Sequence, residues 1–469
     1  MKRITGTHVY SYAKCPRLAA LDLSLSRDLR RPSTEWEDFA TKRGRDFEAD
    51  YVAKLGVVAP VYPERDFAAG AAATMVLLRS GVPLLHQAVL VAEDRLGLPD
   101  LLRRCAGKSN LGDHYYEVID VKTSGRPRSD QILQVAFYSR LLSAVQGRLP
   151  EFGGLILKTG NEERFRLADY QAVASEVEQE LLLLRTAPDR ARPFRIAACD
   201  SCHWNHHCLP QLEQADDLSL VQGITHGSRT ILEGLGCGTG RLLAAFASEG
   251  GRARGNLDSA LFRRLRKAAV ARQRGQPVIE SRPRNAAIGA AAIVHVLMDP
   301  FADRVLCFGV LHPALPGGAI QCSVLGSHDE EWSVIQGMLN ELPPHVPLLH
   351  FGEAFPNWYE EQSFTREAGL GMSSRFIDLA PRLRGAALYP GPVYGLADFV
   401  RHGLARDPMR AGHASAAALW SLASDGAQKL MAKVRADLHD LASLKQTILD
   451  AKPAGNETTV ATDTGTAPA

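Results

Sequence analysis

The stretch His114–Lys122 reads HYYEVIDVK, and its reading decides the fold. Aromatic and β-branched residues alternate there with polar ones, the period-two pattern of a strand. The stretch ends on Asp120-Val121-Lys122. Side chains two residues apart share one face of a strand, so a carboxylate and an ammonium lie side by side at its end. Upstream, Val82–Ala92 is an apolar run carrying His86 and reads as one strand, and Gly97-Leu-Pro-Asp100 reads as a turn into another, Leu101–Cys105. Downstream, Ser129–Ala144 has amphipathic helical spacing, Gly153–Lys158 (GGLILK) is a short buried strand and Tyr170–Leu184 a long helix. A further helix is expected over Glu35–Leu55. Strands followed by a helix and another strand predict a mixed α/β core.

The polar residues of this segment suit one chemistry. Asp100 and Asp120 together can hold Mg²⁺ or Mn²⁺, hard cations that take oxygen ligands. Such a cation polarises a scissile phosphate and lowers the pKa of water. Lys122 can orient the attacking hydroxide or offset charge in the transition state. Gln134 and Tyr138 are spaced i, i+4 and share a helix face, and His86 adds a nitrogen ligand that favours Mn²⁺. Singly, each of these is unremarkable. An Asp-x-Lys triplet is usually a surface charge pair, a Gln–Tyr pair is usually packing, and a histidine on an apolar strand is usually core. Their succession on strand, turn, strand and helix is what points to a site.

Four cysteines frame the segment. Cys199, Cys202 and Cys208 form a C-x2-C-x5-C knot, and Cys15 stands far upstream in Tyr12-Ala-Lys-Cys15-Pro-Arg17. The N-terminus lacks the apolar core of a signal peptide and no stretch reaches the ~18 apolar residues of a membrane span, so a cytoplasmic protein with no membrane partner is expected. A reducing compartment favours a metal centre over disulfides. Two readings remain. Three thiolates with one of His203, His206 and His207 would make a local zinc site and leave Cys15 idle, whereas four thiolates suit a [4Fe–4S] cluster. Cys105, Cys237, Cys307 and Cys322 are scattered and read as core thiols.

The order His86, Gly97-x-x-Asp100, Asp120-x-Lys122 and Gln134-x-x-x-Tyr138 resembles the RecB-like PD-(D/E)xK nucleases. The framing cysteines resemble their iron–sulfur subgroup, which includes the AddB nuclease domain and the RecB-like nucleases of CRISPR adaptation. The resemblance covers about residues 1–215. It implies a restriction-endonuclease-like core with an iron–sulfur clasp. By that resemblance Asp100 and Asp120 bind Mg²⁺ or Mn²⁺ with the Val121 carbonyl and His86. Lys122 is catalytic, Gln134 and Tyr138 organise the site, and Cys15, Cys199, Cys202 and Cys208 carry a [4Fe–4S] cluster. Glu48, in Gly44-x-x-x-Glu48, matches a helical glutamate of the family. DNA is the implied substrate, with single-stranded ends favoured. No P-loop is present, so any unwinding falls to a separate helicase partner. The competing functions are a non-catalytic nucleic-acid-binding scaffold and a zinc-stabilised adaptor.

The 469 residues suffice for about three domains. At 45% hydrophobic and 23% charged they have the composition of a globular protein, and a net charge of +2 gives no long-range steering. Residues 216–250, with Gly223-Ile-Thr-His-Gly227, fit a helix-hairpin-helix unit that either binds phosphate through backbone amides or simply packs. Residues 251–284 carry ten basic side chains against Asp258 and Glu280, a local balance of +8. They read as a basic linker, either phosphate-neutralising or a solvated connector. Residues 285–450 resemble an RNase H-like exonuclease domain through Met298-Asp299-Pro300, His350-Phe-Gly-Glu353, Phe376-Ile-Asp378, Tyr394-Gly395-Leu396 and Asp437-Leu-His-Asp440. The acidic pair expected on its first strand is replaced by His295 and Leu297. Asp378 and Asp440 remain, so a degenerate, inactive second site is expected. Residues 451–469 are Thr/Ala/Gly/Pro-rich and are expected to be disordered.

Overall fold

The computed structural model describes residues 2–246, 258–281, 286–299, 301, 304–315, 320–368, 371–409 and 425–450. The chain is mixed α/β with several sheets. It divides into two compact units, Met1–Leu209 and Pro210–Ala469.

The first unit opens with β1 (Ile4–Thr5), α1 (Gly6–Lys14) and α2 (Pro16–Ser24). Pro16 is the first residue of α2; it lacks an N–H and cannot extend α1, so the helices break at Cys15. Helix α3 (Glu35–Val52) starts on a capping box: Thr34 Oγ1 accepts the Glu37 amide at 3.3 Å and Glu37 Oε2 accepts the Thr34 amide at 2.8 Å. Then come α4 (Phe67–Ser80), β2 (Leu84–His86), β3 (Leu90–Ala92), β4 (Arg95–Gly97), β5 (Leu101–Ser109) and β6 (Gly112–Val121). Helix α5 (Ser129–Gln146) connects β6 to β7 (Phe152–Ile156), followed by β8 (Glu162–Arg166) and α6 (Gln171–Thr186).

The main sheet has the order β2-β5-β6-β7-β8. Its pairs are antiparallel except β6–β7, which is parallel and so needs the α5 crossover. Alternation along β6 sorts the two faces. Tyr116 and Val118 join the core that includes Val135, Tyr138, Leu141 and Leu142 of α5. Ile119 and Val121 join Val52, Leu101 and Ile156 in a second core, against Phe47 and Tyr51 of α3. Period two then places Asp120 on the α5 face with Val118. The run Val82–Ala92, expected as one strand, is two: β2 belongs to the main sheet and β3 to a small sheet of order β1-β4-β3. Gln87, at φ +52°, turns the backbone between them.

Helix α7 (Asn205–Gln214) spans the boundary, and α8 (His226–Gly234), α9 (Gly240–Ala245), α10 (Ser259–Arg274) and β9 (Val278–Ile279) follow. The expected basic linker is therefore largely a folded element. Leu265, Ala268, Ala269 and Ala271 of α10 are buried, and β9 pairs with Ala387–Leu388. Four of its arginines, Arg252, Arg254, Arg282 and Arg284, lie outside the described residues, as do Pro300 and the tail 451–469. The sheet of this unit runs Ile320–Val324, Arg304–Leu311, Ala292–Asp299, Leu348–His350 and Phe376–Asp378 in spatial order. Its first two pairings are antiparallel and its last two parallel. The C-terminal helix Gly426–Asp450 lies so close to this sheet that a Cβ on Gly309 would meet Val434 at 2.4 Å.

Close approach also fixes α5 on its sheet. A Cβ added to Gly153 of β7 would stand 2.7 Å from Val135 Cγ1 and 3.0 Å from Phe165. Gly153→Val should destabilise the first unit by about 1–3 kcal/mol through overpacking, read as an earlier urea transition of that unit.

Candidate metal centres

The β5–β6 register assembles the acidic site. Leu101 pairs with Ile119, so the residue before the first, Asp100, stands across from the residue after the second, Asp120. The Asp100 amide donates to Asp120 Oδ1 at 3.3 Å, and the Val121 amide donates to Asp100 Oδ2 at 2.8 Å. Lys122 Nζ lies 2.9 Å from Asp120 Oδ2. Asp120 is 1% exposed. Its Oδ2 accepts no hydrogen bond of good geometry, so the lysine charge is what stabilises it. Burial raises Asp100 well above the usual carboxylate range, Asp120 adds to the rise and Lys122 opposes it. Burial by itself would lower Lys122, but the attraction of Asp120 and Asp100 outweighs it and holds the ammonium above its ordinary value. Two carboxylates here share the charge of Lys122.

The other expected residues surround it. His86, at the end of β2, has Nε2 3.2 Å from Glu48 Oε1, and the Gln87 amide nitrogen donates to the same oxygen at 2.8 Å. Glu48 of α3 contributes to the upward shift of Asp100, which places its charge at the same site. On α5, Gln134 Nε2 donates to Tyr138 Oη at 3.0 Å. Burial pushes the Tyr138 hydroxyl well above its ordinary value, and Asp120 adds to the shift. Two glycines cradle that ring. A Cβ on Gly6 would meet Tyr138 Oη at 2.3 Å, and one on Gly97 would meet Leu141 at 2.8 Å and Tyr138 at 3.0 Å. Gly97 is thus needed for close packing beside the turn to Asp100, and helix α1 begins against the acidic site.

The other end of α1 reaches the thiols. Cys15, Cys199, Cys202 and Cys208 all line one cavity of about 550 Å³. Burial pushes the Cys208 thiol up to about 11; Arg17 opposes this, and Cys202, Cys15 and Cys199 raise it further. Burial likewise raises Cys202, which accepts the Trp204 amide at 3.4 Å, and Cys199 Sγ accepts the Ile196 amide at 3.4 Å. Backbone donors to sulfur stabilise thiolates, and the repulsion that thiolates would exert on one another is what a cationic centre would relieve. Among the described residues, no three His, Cys, Asp or Glu side chains are arranged as a metal-ligand group, at the thiols or at the acidic site.

Two of the three knot histidines are engaged elsewhere. His203 Nε2 lies 3.0 Å from Asp22 Oδ1, and His206 Nε2 lies 3.1 Å from the Leu29 carbonyl. Asp22 of α2, which sequence reasoning missed, accepts from Trp204 Nε1 at 2.7 Å and from Arg30 Nη2 at 2.6 Å. Burial alone would raise it, but His203, Trp204 and the Arg30 charge hold it below the usual carboxylate range. Arg31 adds two ties, its amide to the His203 carbonyl at 3.1 Å and Nη2 to the Ser201 carbonyl at 2.7 Å. These contacts join positions more than 150 residues apart, which no local pattern announces.

In the second unit, no acidic residue stands at the two positions expected to bear a metal pair. His295 Nε2 lies 3.0 Å from Asp437 Oδ2, and Lys433 pairs with the other oxygen of Asp437. Leu297 is buried. Asp440 pairs with Arg406, and Asp378 accepts the amides of Gly352 at 3.1 Å and Ala380 at 2.9 Å. Lys433 and Asp437 were not among the expected site residues. In the expected hairpin, the α9 amides are taken: Gly240 donates to the Asp216 carbonyl at 2.9 Å and Arg241 to Asp216 Oδ2 at 2.7 Å. The Thr225 and Ser228 side chains cap the start of α8.

Compared with known proteins, the chain matches no family model and no curated sequence. Among the described residues, no helix is long and apolar enough to cross a membrane.

His8 gives this region a pH dependence. Its Nδ1 accepts the Thr5 amide at 3.0 Å, which requires the neutral ring. Burial lowers His8 from an ordinary value near 6.5 to about 4, with Asp22 opposing. The unfolded chain therefore takes the proton first as pH falls. This contribution to stability is intact above about pH 6.5 and is lost as pH drops toward 4. The thermal midpoint of the first unit should fall across that window, and His8→Gln should flatten the fall.

Proposed function

We propose that this protein is a metal-dependent nuclease of the RecB-like type, hydrolysing phosphodiester bonds of DNA at single-stranded ends, with a structural [4Fe–4S] cluster. One observation carries the reading. Two carboxylates meet across β5–β6, one with a buried oxygen whose neighbour is the lysine two residues on. A binding scaffold gains nothing from carboxylates where phosphate must approach, since like charges repel there. The raised Asp100 and the poorly satisfied Asp120 Oδ2 fit a hard divalent cation, which these two side chains would hold with the Val121 carbonyl and His86. When bound, Mg²⁺ or Mn²⁺ supplies the Lewis acidity that polarises the phosphodiester and acidifies water.

The protein's own groups do the rest. Lys122, held cationic by its carboxylate neighbours, offers charge to the phosphate in the transition state. Gln134 fixes the Tyr138 hydroxyl, and Glu48 orients His86. The four thiols fit a [4Fe–4S] centre better than zinc with a knot histidine, because all four line one cavity, whereas His203 and His206 bond Asp22 and Leu29 and His207 is not on that lining. A helicase that supplies unwound ends is the partner this activity calls for. In the second unit, the carboxylates Asp378, Asp437 and Asp440 are all tied to protein donors, which supports a non-catalytic role for that unit.

With labelled single-stranded DNA and Mn²⁺, the wild-type chain should release products and chelation should stop it. Lys122→Ala and Asp120→Ala should each lower kcat by at least about 10²–10³-fold while binding in chelator persists. Unchanged cleavage in both variants would overturn the site. Anaerobically purified protein should carry iron and sulfide and absorb in the visible, and stoichiometric zinc without iron would remove the cluster from this reading.

A further inference from the structure

Helix α10 lies in the second unit and takes no part in the acidic site, yet its side chains carry charge of one sign only. Arg263, Arg264, Arg266, Lys267, Arg272 and Arg274 stand between Ser259 and Arg274, with no carboxylate among them. Because the segment is a folded helix, the places of these charges are fixed. Leu265, Ala268, Ala269 and Ala271 take the inner face. At 100° per residue, positions 263, 267 and 274 fall within about 40° of one another on the opposite side, along about 16 Å of helix. All three are exposed. Arg263 and Arg274 have no hydrogen bond or ion pair among the described residues. Glu280 stands 3.4 Å from Lys267 Nζ and 3.4 Å from Arg264 Nη1, one carboxylate for two cations. The flanking cations are used within the fold: Arg266 donates to the Phe246 carbonyl at 3.5 Å, and Arg272 Nε lies 3.9 Å from Asp216 Oδ1. The pairing of β9 with Ala387–Leu388 brings the helix Leu379–Ala386 alongside, where Arg264 Nη2 donates to the Arg384 carbonyl at 2.7 Å. Arg382 of that helix is exposed and adds one more cation without a partner among the described residues.

We propose that the outer stripe of α10 is a docking surface for the backbone of duplex DNA, with Arg263, Lys267 and Arg274 each on a phosphate. The choice of DNA as the polyanion rests on the nuclease reading, and the surface extends that reading from a single-stranded end to the duplex behind it. Over about 16 Å one strand of B-DNA presents about five phosphates, enough for each cation of the stripe to meet one. A single strand is held by exposed rings on which its bases stack. The one aromatic residue of α10, Phe262, is instead packed on Phe246, with ring centroids 5.4 Å apart. A protein partner calls for an aromatic or aliphatic anchor at the centre of the patch. Between Arg263 and Arg274 the stripe offers only Val270, which is half-buried. The start of the helix is closed as well, since Asp258 Oδ2 accepts the amides of Ala260 at 3.2 Å and Leu261 at 3.1 Å. Contact therefore falls to the side-chain charges alone, which hold phosphates irrespective of sequence.

Binding of a short, blunt, fluorescein-labelled DNA duplex to the full-length chain is measured in chelator as a function of salt. Each phosphate contact contributes about 0.9 to the log–log salt slope for B-DNA. The triple variant Arg263→Gln/Lys267→Gln/Arg274→Gln should therefore lose about 2.7 from the slope. Each single glutamine variant should lose about 0.9, a reading that stands even where the triple variant does not fold. Arg263→Lys/Arg274→Lys should keep the wild-type slope, because a phosphate contact here needs the charge and not the guanidinium fork. An unchanged slope in the glutamine variants, or a lysine variant that loses as much as they do, overturns the surface. Polyglutamate that competes as well as duplex DNA, a single strand whose slope falls as far in the triple variant, or tighter binding of an RNA duplex overturns the assigned occupant. A chain that shows the expected slope losses but never cleaves single-stranded DNA with Mn²⁺ upholds the surface and overturns the nuclease reading. A chain that cleaves while its duplex slope is unmoved by the variants does the reverse.

Discussion

Two carboxylates that face each other across a pair of strands, Asp120 buried and Asp100 half-buried, oppose folding, and the rest of the first unit is arranged around that opposition. Asp100 and Asp120 meet because the antiparallel register of β5 and β6 leaves no other place for them. Moving either strand by one residue would flip the apolar side chains of both faces at once. The sheet's two cores therefore enforce a contact that electrostatics resists. Lys122 relieves part of it, and the Val121 and Asp100 amides relieve more by donating to the acids. What is left is one carboxylate whose proton is hard to remove and one oxygen without a proper donor. Strain of this kind is kept where a ligand of opposite charge can resolve it.

Helix α1 ties this site to the thiols. At one end Gly6 admits the Tyr138 hydroxyl, and at the other Pro16 stops the helix so that Cys15 stands in the bend. The C-terminal partner of that bend is held by protein contacts as well as by any centre the thiols carry. Asp22 gathers Trp204, His203 and Arg30, and Trp204 is among the largest fully buried side chains of the chain. Removing the Asp22 carboxylate would leave an indole N–H and a guanidinium without their acceptor in a largely dry setting, which costs more than the bonds themselves contribute. Protein contacts alone thus tie α2 to the cysteine knot, closing a long stretch of chain.

Much of this was legible in the sequence, and the limits of legibility are physical. Alternation in His114–Lys122 and helical spacing in Ser129–Ala144 gave elements that the structure places within a few residues, because each pattern is the direct imprint of one buried face. Val82–Ala92 was misread as one strand since its apolar content is continuous; the break lies in the backbone of Gln87, whose positive φ no composition rule anticipates. The basic segment read as a linker because ten cations hide four small or apolar residues at helical spacing, Leu265, Ala268, Ala269 and Ala271. Asp22 and Gly6 could be recognised only through partners remote in sequence, and Gly97, legible as a turn residue, showed its packing against Tyr138 and Leu141 only in the structure.

The two units treat acidic residues in opposite ways. In the first, the carboxylates are brought together and left short of donors. In the second, each comparable carboxylate is tied to protein partners: Asp437 between His295 and Lys433, Asp440 on Arg406, Asp378 at a helix start. Lys433 and Asp437 are both buried, and each meets the charge of the other. The position that a carboxylate would need on the first strand of that sheet is taken by His295, which instead joins the strand to the C-terminal helix over Gly309. The same kinds of charged side chain thus do two jobs in one chain. Crowded against one another they make a candidate reaction centre, and paired across a sheet and a helix they hold a fold together.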